Sequence, residues 1–306
     1  MTARFDLQLF TELNDQYRER PLVPRPRRFD ADARRTEAER RTARLDRALQ
    51  LRGKRVLEVG CGTGFVGRQL AEQLDCSVVG IDVSSYPAWD EDPTDRVRFV
   101  VGDISDPPAD LGRFDAIFSF SVWEHLVHPY AALARSFDLL EPGGRMFLQA
   151  QLHRGPKASH RYREVFFPWP HLLFTPDVFE DYYRSIGRQP MRPAWVNHLT
   201  YGQYLDHFDR IGYHTRSRRA VGTADFDEEL YQRFHDVLSS YPRWDLSHDV
   251  ISTVVERPPA AVTGARRKTA STQGAARKVW DALPESVRTH RQTRRVVEAA
   301  RGLRRR

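Results

Sequence analysis

Lys54-Arg55-Val56-Leu57-Glu58-Val59-Gly60-Cys61-Gly62-Thr63-Gly64 is the stretch on which the reading of this chain turns. An apolar strand ends at Val59 and runs directly into three glycines at alternate positions. Glycine lacks a Cβ and tolerates φ > 0, so backbone there can turn tightly and approach a ligand closely. Glu58 adds a carboxylate at the mouth of the same turn. A loop built for pyrophosphate has no need of it, whereas a loop built for a cationic amino-acid ligand does. The overlapping Gly62-Thr63-Gly64-Phe65-Val66-Gly67 also spells the G-x-G-x-x-G of dinucleotide-binding turns. The register argues against that reading, because Gly60 already occupies the first tight-turn position after the strand.

Downstream, short apolar strands alternate with helices. Strands are expected at Val56–Val59, Ser77–Ile81, Val97–Val101, Phe114–Phe120 and Arg145–Gln151, with helices at Gly64–Leu74 and Tyr130–Leu140. Nearly continuous β-branched strands in such an alternation indicate a parallel sheet covered on both faces. The pattern lapses over residues 152–199, which are rich in aromatics, prolines and histidines, and an irregular insertion of that length after a core strand is usually functional. It returns with a helix at Tyr201–Ile211, a strand at Tyr213–Ala220, a helix at Asp225–Ser240 and a strand at Asp249–Glu256. Residues 1–52 read as a charged helical extension. Its first helix carries Phe5, Leu9, Leu13 and Tyr17 and is stopped by Pro21, Pro24 and Pro26. Its second, Asp30 to Leu51, packs beside the first strand.

Each strand end carries a polar signal. Asp82 lies 18 residues past Gly64, where a carboxylate can accept two hydrogen bonds from ribose hydroxyls. Val101-Gly102-Asp103-Ile104 follows the third strand, and Ser119-Phe120-Ser121-Val122-Trp123-Glu124-His125 is the exit of the fourth. Glu141-Pro142-Gly143-Gly144 precedes the fifth. Taken in order, with the E-x-G-x-G-x-G frame from Glu58 to Gly64, these pieces resemble the class I S-adenosylmethionine (SAM) methyltransferases over roughly residues 50–256. The resemblance implies an α/β fold with a doubly wound, mostly parallel seven-stranded sheet, and SAM as the cofactor. It implies that Glu58, Gly60, Cys61, Gly62 and Gly64 form the cofactor loop and that Asp82 and Val83 meet the ribose. Asp103 would meet the adenine amine, Ile104 would pack on its ring, and Ser119 and Phe120 would meet the methionine part.

A sulfonium makes its methyl carbon electrophilic, and transfer is an in-line displacement in which positioning does much of the work. An alcohol nucleophile then needs a general base, for which histidine suits neutral pH. His125, His153 and His160 are the candidates, with His171 behind them; His198, His207, His214, His235 and His248 read as structural or surface groups. The segment from Ser159-His160-Arg161-Tyr162 to Trp195-Val196-Asn197-His198 is similar to insertions of bacterial methyltransferases linked with surface-polysaccharide biosynthesis. The expectation is therefore O-methylation of a sugar or glycan-related hydroxyl. Phe166, Phe167, Trp169 and Phe174 would either stack on sugar faces or form a satellite core. The alternatives are a natural-product or quinone-like acceptor, a SAM-binding module without turnover, and action on nucleic acid. Against the last, the fourth strand exits through Ser119-Phe120-Ser121-Val122 rather than Asn/Asp-Pro-Pro-Tyr/Phe, and no Pro-Cys pair is present. No His/Asp/Glu spacing matches a recognised metal site, and Asp90, Glu91, Asp92 and Asp95 read as a solvated acidic loop.

The 306 residues suffice for one full core with extensions. Two cysteines, Cys61 and Cys76, speak against a disulfide framework and fit a reducing cytoplasm; no secretory signal or apolar span is expected. The net charge of +7 is unevenly spread: residues 257–306 carry 14 Lys/Arg against 3 Asp/Glu, leaving the body at −4. Ala260–Ala276 has the composition of a linker, and the basic stretch Ala276–Arg306 is suited to an anionic membrane surface, a nucleic acid or a partner helix, or to plain solvation.

Overall fold

A computed structural model describes residues 5–23, 31–91, 94–222 and 225–259. The expected linker and basic tail, 260–306, lie outside the described residues, as do Pro24, Pro26 and Asp92.

Seven strands form one sheet: β1 (Arg55–Val59), β2 (Ser77–Asp82), β3 (Val97–Val101), β4 (Phe114–Phe120), β5 (Leu140–Gln151), β6 (His214–Gly222) and β7 (His248–Glu256). Their order is β3-β2-β1-β4-β5-β7-β6, and β7 runs antiparallel to both its neighbours while β1 to β5 pair in parallel. This is the doubly wound sheet expected from the sequence. The chain winds outward from β1 to β3 and then returns to the other side of β1 at β4. That reversal opens a crevice beyond the strand ends, the usual ligand position in such sheets.

The burial pattern explains the strand composition. β1 and β2 are buried along nearly their whole length, as central parallel strands covered on both faces must be. Edge strand β6 is exposed throughout and carries Arg216, Arg218 and Arg219, charges that discourage pairing with another edge. Helices α2 (Ala31–Leu49) and α3 (Phe65–Leu74) cover one face, where Leu45, Leu49, Val66 and Leu70 meet Val56, Val78 and Phe118. Helices α4 (Pro129–Leu139) and α7 (Tyr201–Ile211) cover the other, where Leu133, Tyr204 and Phe208 meet Leu57, Ile117 and Met146. Thr200 and Gln203 close a capping box at the start of α7, and Gly212 ends it in a left-handed conformation.

The insertion is more regular than its sequence. It holds α5 (Pro170–Leu173) and α6 (Pro176–Ser185), and it shares a third core with α1 (Leu7–Gln16). Phe10 is fully buried there, with ring centroids 4.8 to 5.2 Å from Phe167, Phe174, Phe179 and Tyr182. The fully buried Asn14 knits α1 to the insertion, donating to the Glu164 carbonyl at 2.8 Å and accepting from the Phe166 amide at 2.7 Å. The single helix expected over Asp225–Ser240 is instead α8 (Glu228–Arg233) and α9 (His235–Leu238), because Phe234 leaves helical geometry between them to enter this third core. A further short helix, α10 (Arg243–Ser247), precedes β7. β5 begins at Leu140 rather than Arg145, with a register shift opposite Phe114 to Ala116 that absorbs the Pro-Gly-Gly. Both cysteines are free and buried. Among the described residues no helix is long and apolar enough to cross a membrane.

Because α1 supplies the centre of the third core, Phe10→Ala should lower unfolding free energy by about 3–5 kcal/mol, measured by urea titration. A loss below about 1 kcal/mol would mean that α1 is only loosely attached.

Candidate active site

The glycine turn sits at the switch point of the sheet, and its three glycines serve different ends. A Cβ on Gly60 would come within 2.2 Å of Val122, and one on Gly64 within 2.3 Å of the Phe99 ring. Both residues also have positive φ, so no other residue fits either place without rearrangement. Gly62, at φ 51°, opens on free space: a Cβ there would meet nothing within 4 Å. The outer two glycines therefore let the loop pack, and the middle one leaves room above it.

The loop is tied down from outside. The Trp89 indole donates to the Gly62 carbonyl at 2.7 Å and stacks on Phe99, with centroids 5.1 Å apart. Asp82, at the end of β2, accepts from the Gly62 amide at 2.9 Å and, through its other oxygen, from the Ser84 amide at 3.2 Å. Asp103 is exposed and accepts from the amide and hydroxyl of Ser105, each at 2.8 Å. Val83 is 68% exposed beside Asp82, whereas Ile104 is buried in the main core. Cys61 turns inward beneath the loop, where burial raises its thiol pKa, so only its backbone faces the crevice rim. Ser119 is buried with no partner for its hydroxyl among the described residues. Phe120 is partly exposed, under the Arg41 guanidinium of α2 at 4.5 Å from its ring centre.

Glu58 departs from its expected place at the mouth of the turn. Side chains alternate along a strand, and Glu58 shares the Val56 face, so it lies under the start of α3. It is buried and accepts from the Gly67 amide at 3.0 Å. Burial pushes its carboxyl up to about 8, helped by Asp82 and opposed by the Gly67 amide and Arg41.

The fourth strand exits through Ser121, in left-handed conformation, into a short turn Trp123–His125. The end of the insertion runs back along this turn and is clamped to it. The Asn197 amide donates to the Glu124 carbonyl at 2.7 Å, its side chain donates to the Trp123 carbonyl at 2.6 Å, and His125 Nδ1 lies 2.7 Å from the Trp195 carbonyl. Of the three candidate bases, the fold brings His125 and His160 together, with ring centroids 5.0 Å apart. His153 falls in a second group instead: it stacks on His198 at 3.8 Å and meets His171 edge-on at 5.2 Å. Burial, and then the neighbouring histidines, hold His153 and His160 down to about 4 and His171 to about 3. Glu124 is fully buried, and burial pushes its carboxyl up to about 7.

Several of these groups carried no sequence signal. Trp89 sits in a featureless acidic stretch, and Arg41 in a helix whose Arg and Glu content suggested only a solvated face. His198, read as structural or surface, stacks within the second histidine group. Phe167, Trp169 and Phe174 are core residues, with the Trp169 indole bonded to the Leu246 carbonyl at 2.9 Å, so they do not offer faces to a sugar. Trp195 is the insertion aromatic left widely exposed, at 54%.

A family model described as a methyltransferase domain matches residues 31–185. The ubiquinone biosynthesis O-methyltransferase of Nitrosococcus oceani is 35% identical over 152 residues, covering 47% of this chain and 60% of that protein. The 27-O-demethylrifamycin SV methyltransferase of Amycolatopsis mediterranei is 27% identical over 205 residues, covering 62% of this chain and 75% of that protein. The tRNA U34 carboxymethyltransferase of Pseudomonas savastanoi is 30% identical, covering 52% of each chain. The chain thus spans between about half and three fifths of the length of the first curated relatives it matches. Among solved structures, the Haemonchus contortus phosphoethanolamine N-methyltransferase 2 with S-adenosyl-L-methionine aligns with a TM-score of 0.47 at 17% identity, covering 72% of this chain and 52% of that one.

The buried Glu58 makes stability depend on pH. Its carboxyl releases a proton near 4.5 when unfolded but near 8 when folded, so the native state holds more protons between those values. Stability of the ligand-free protein should therefore fall as pH rises from about 4.5 to about 8 and level off above. Glu58→Gln keeps the acceptor for Gly67 and removes the titration. Thermal melts should show the variant gaining on the parent toward pH 8, and parallel profiles would refute the assignment.

Proposed function

The chain belongs to the class I SAM-dependent methyltransferase family, and from that membership we propose that it methylates a hydroxyl oxygen of a small molecule, with His125 taking the hydroxyl proton. The observation that carries this reading is the 2.7 Å contact of His125 Nδ1 with the Trp195 carbonyl. A carbonyl only accepts, so Nδ1 bears the proton and the Nε2 lone pair is free. The ring is exposed, and it stands three residues beyond Val122, which touches Gly60 of the glycine turn. An imidazole held by one nitrogen and open at the other is the arrangement general-base catalysis needs. His153 and His160, with values near 4, stay neutral at pH 7 but are weak proton acceptors.

The residues present fit the cofactor. The space above Gly62 admits it, the Asp82 and Asp103 carboxylates at the ends of β2 and β3 are hydrogen-bond acceptors, and Glu58 lies buried beneath the loop. When bound, SAM supplies an electrophilic methyl carbon. The chain's own work is to hold the turn open through Gly60 and Gly64, to offer Asp82 to the ribose, and to take a proton at His125 Nε2. A positive charge above Glu58 also favours its ionised form.

The acceptor reading narrows with the insertion. Its buried aromatics are committed to packing, which leaves Trp195 as a platform beside His125. A ring-bearing acceptor suits an exposed indole, and relatives named for ubiquinone and rifamycin O-methylation favour a quinone-like or natural-product hydroxyl. For a sugar or glycan-linked hydroxyl, the aromatics of the insertion offer Trp195 as the widely exposed stacking surface among the described residues. The membrane contact expected of the basic tail falls on residues 260–306, outside the described residues.

His125→Asn should lower kcat by roughly 10²–10⁴ while leaving SAM affinity nearly intact. Gly62→Leu should abolish SAM binding in a folded protein, and Asp82→Ala should weaken it by about 1–3 kcal/mol. Calorimetry with SAM and NAD, and labelled-SAM turnover on parallel panels of phenolic and sugar acceptors, would read these outcomes. Tight NAD binding would sink the cofactor reading, full turnover in His125→Asn would remove its role, and transfer to sugars alone would reverse the acceptor choice.

A further inference from the structure

Glu124 is completely buried, and neither of its carboxylate oxygens has a hydrogen-bond partner among the described residues. The amides of Glu124 itself and of Gln151 lie close enough to favour its charged form without reaching hydrogen-bond geometry. Buried polar groups are nearly always partnered, so a carboxylate left bare in the protein interior asks for a partner of opposite charge or a proton. Two imidazoles face it. His160 Nε2 is likewise buried without a partner. His125 is turned by the Trp195 carbonyl so that its Nε2 lone pair points away from that bond. One ligand atom from each of Glu124, His125 and His160 lies within 4.8 Å of the other two.

We propose that Glu124, His125 and His160 bind one divalent first-row transition ion of the zinc type. Three features of the chain fit such a site. Two imidazoles and one carboxylate form a mixed nitrogen and oxygen set, which suits zinc, cobalt or nickel and not the all-oxygen preference of magnesium or calcium. The present span of up to 4.8 Å would close onto a common ion at roughly 2.0–2.2 Å by rotation of the three side chains. The His125 Nδ1 contact to a backbone carbonyl is the outer support that metal-bound histidines commonly have. His160 is itself held in place, at φ 53° in the left-handed region, with its amide bonded to the Lys157 carbonyl at 3.1 Å.

The ligands come from two elements joined only by the fold. Glu124 and His125 belong to the exit of β4, His160 to the insertion, and Asn197 and the Trp195 carbonyl fasten the two together. The exposed side of His125 leaves coordination positions open toward the crevice, as catalytic rather than structural sites do. What the ion would do there rests on the hydroxyl-methylation reading. An acceptor hydroxyl bound to it would lose its proton to solvent water more readily, and His125 would then act as a ligand in place of a base.

Tag-free protein, stripped with a chelator, is titrated with Co²⁺ and with Zn²⁺ while ligand-field absorption and heat are followed; Mg²⁺ serves as a third arm. The expected result is one saturable equivalent of Co²⁺ with visible bands, displaced by Zn²⁺, and binding of Mg²⁺ weaker by roughly a hundredfold or more. Glu124→Gln and His160→Asn should each weaken Co²⁺ binding by roughly tenfold or more, with SAM affinity retained as the check on folding. His153→Asn, in the second histidine group, should leave Co²⁺ affinity unchanged. Absence of saturable binding, equal affinity in the Glu124 and His160 variants, or loss in His153→Asn would each overturn the site. If no metal binds but His125→Asn still loses turnover, the imidazole-base reading stands alone. If metal binds and no hydroxyl is methylated, the site stands and the acceptor reading falls.

Discussion

The absence of side chains at Gly60 and Gly64 is the constraint on which the rest of this molecule depends. One presses its backbone against Val122 and the other against the Phe99 ring, at separations no Cβ would survive. This contact brings the turn after β1 onto Val122 at the exit of β4 and onto the Phe99 side chain of β3. Trp89 then locks the turn from outside through the Gly62 carbonyl, and Asp82 from the side through the Gly62 amide. What remains is a short, rigid loop with open space over its middle glycine.

A second consequence is electrostatic. The pleat of β1 sends Glu58 beneath the loop, where the first turn of α3 offers it the Gly67 amide. Burial there outweighs that amide and the distant Arg41, so the group holds its proton unless a positive ligand arrives. Glu124 repeats the pattern at the exit of β4, again as a buried carboxyl under the crevice rim. Two acidic groups kept out of water, one on β1 and one in the turn that leaves β4, would each be stabilised in charged form by a cation brought close to it.

The insertion completes the site by folding against α1 and returning to β4. Its aromatic residues pack with Phe10, Leu13 and Tyr17, which gives the segment a core of its own, the third of the molecule. Its far end, Trp195 to Asn197, is bonded to the Trp123–Leu126 turn, and His160 of the same insertion comes to rest beside His125.

The sheet was legible in the sequence because its signals are local. Strands β1, β2 and β4 show nearly continuous apolar runs of the kind a doubly covered parallel sheet buries, and glycine-rich turns and terminal aspartates mark strand ends. α7 announces itself by Thr200, Gln203 and Gly212, each acting within one turn of the helix. The glycine turn after β1 was legible for the same reason. What the sequence could not show is where side chains far apart in the chain come to rest. Glu58 needed the strand's pleat and the position of α3 to reveal that it is buried. Phe167 and Trp169 needed α1, some 150 residues earlier, to reveal that they are core. His160 joins Glu124 and His125 across 35 residues, held by hydrogen bonds from Asn197 and to the Trp195 carbonyl, and no spacing rule anticipates that meeting. Local periodicity and turn chemistry determined the architecture, whereas burial, which is a property of the packed whole, decided which polar groups stand ready to act.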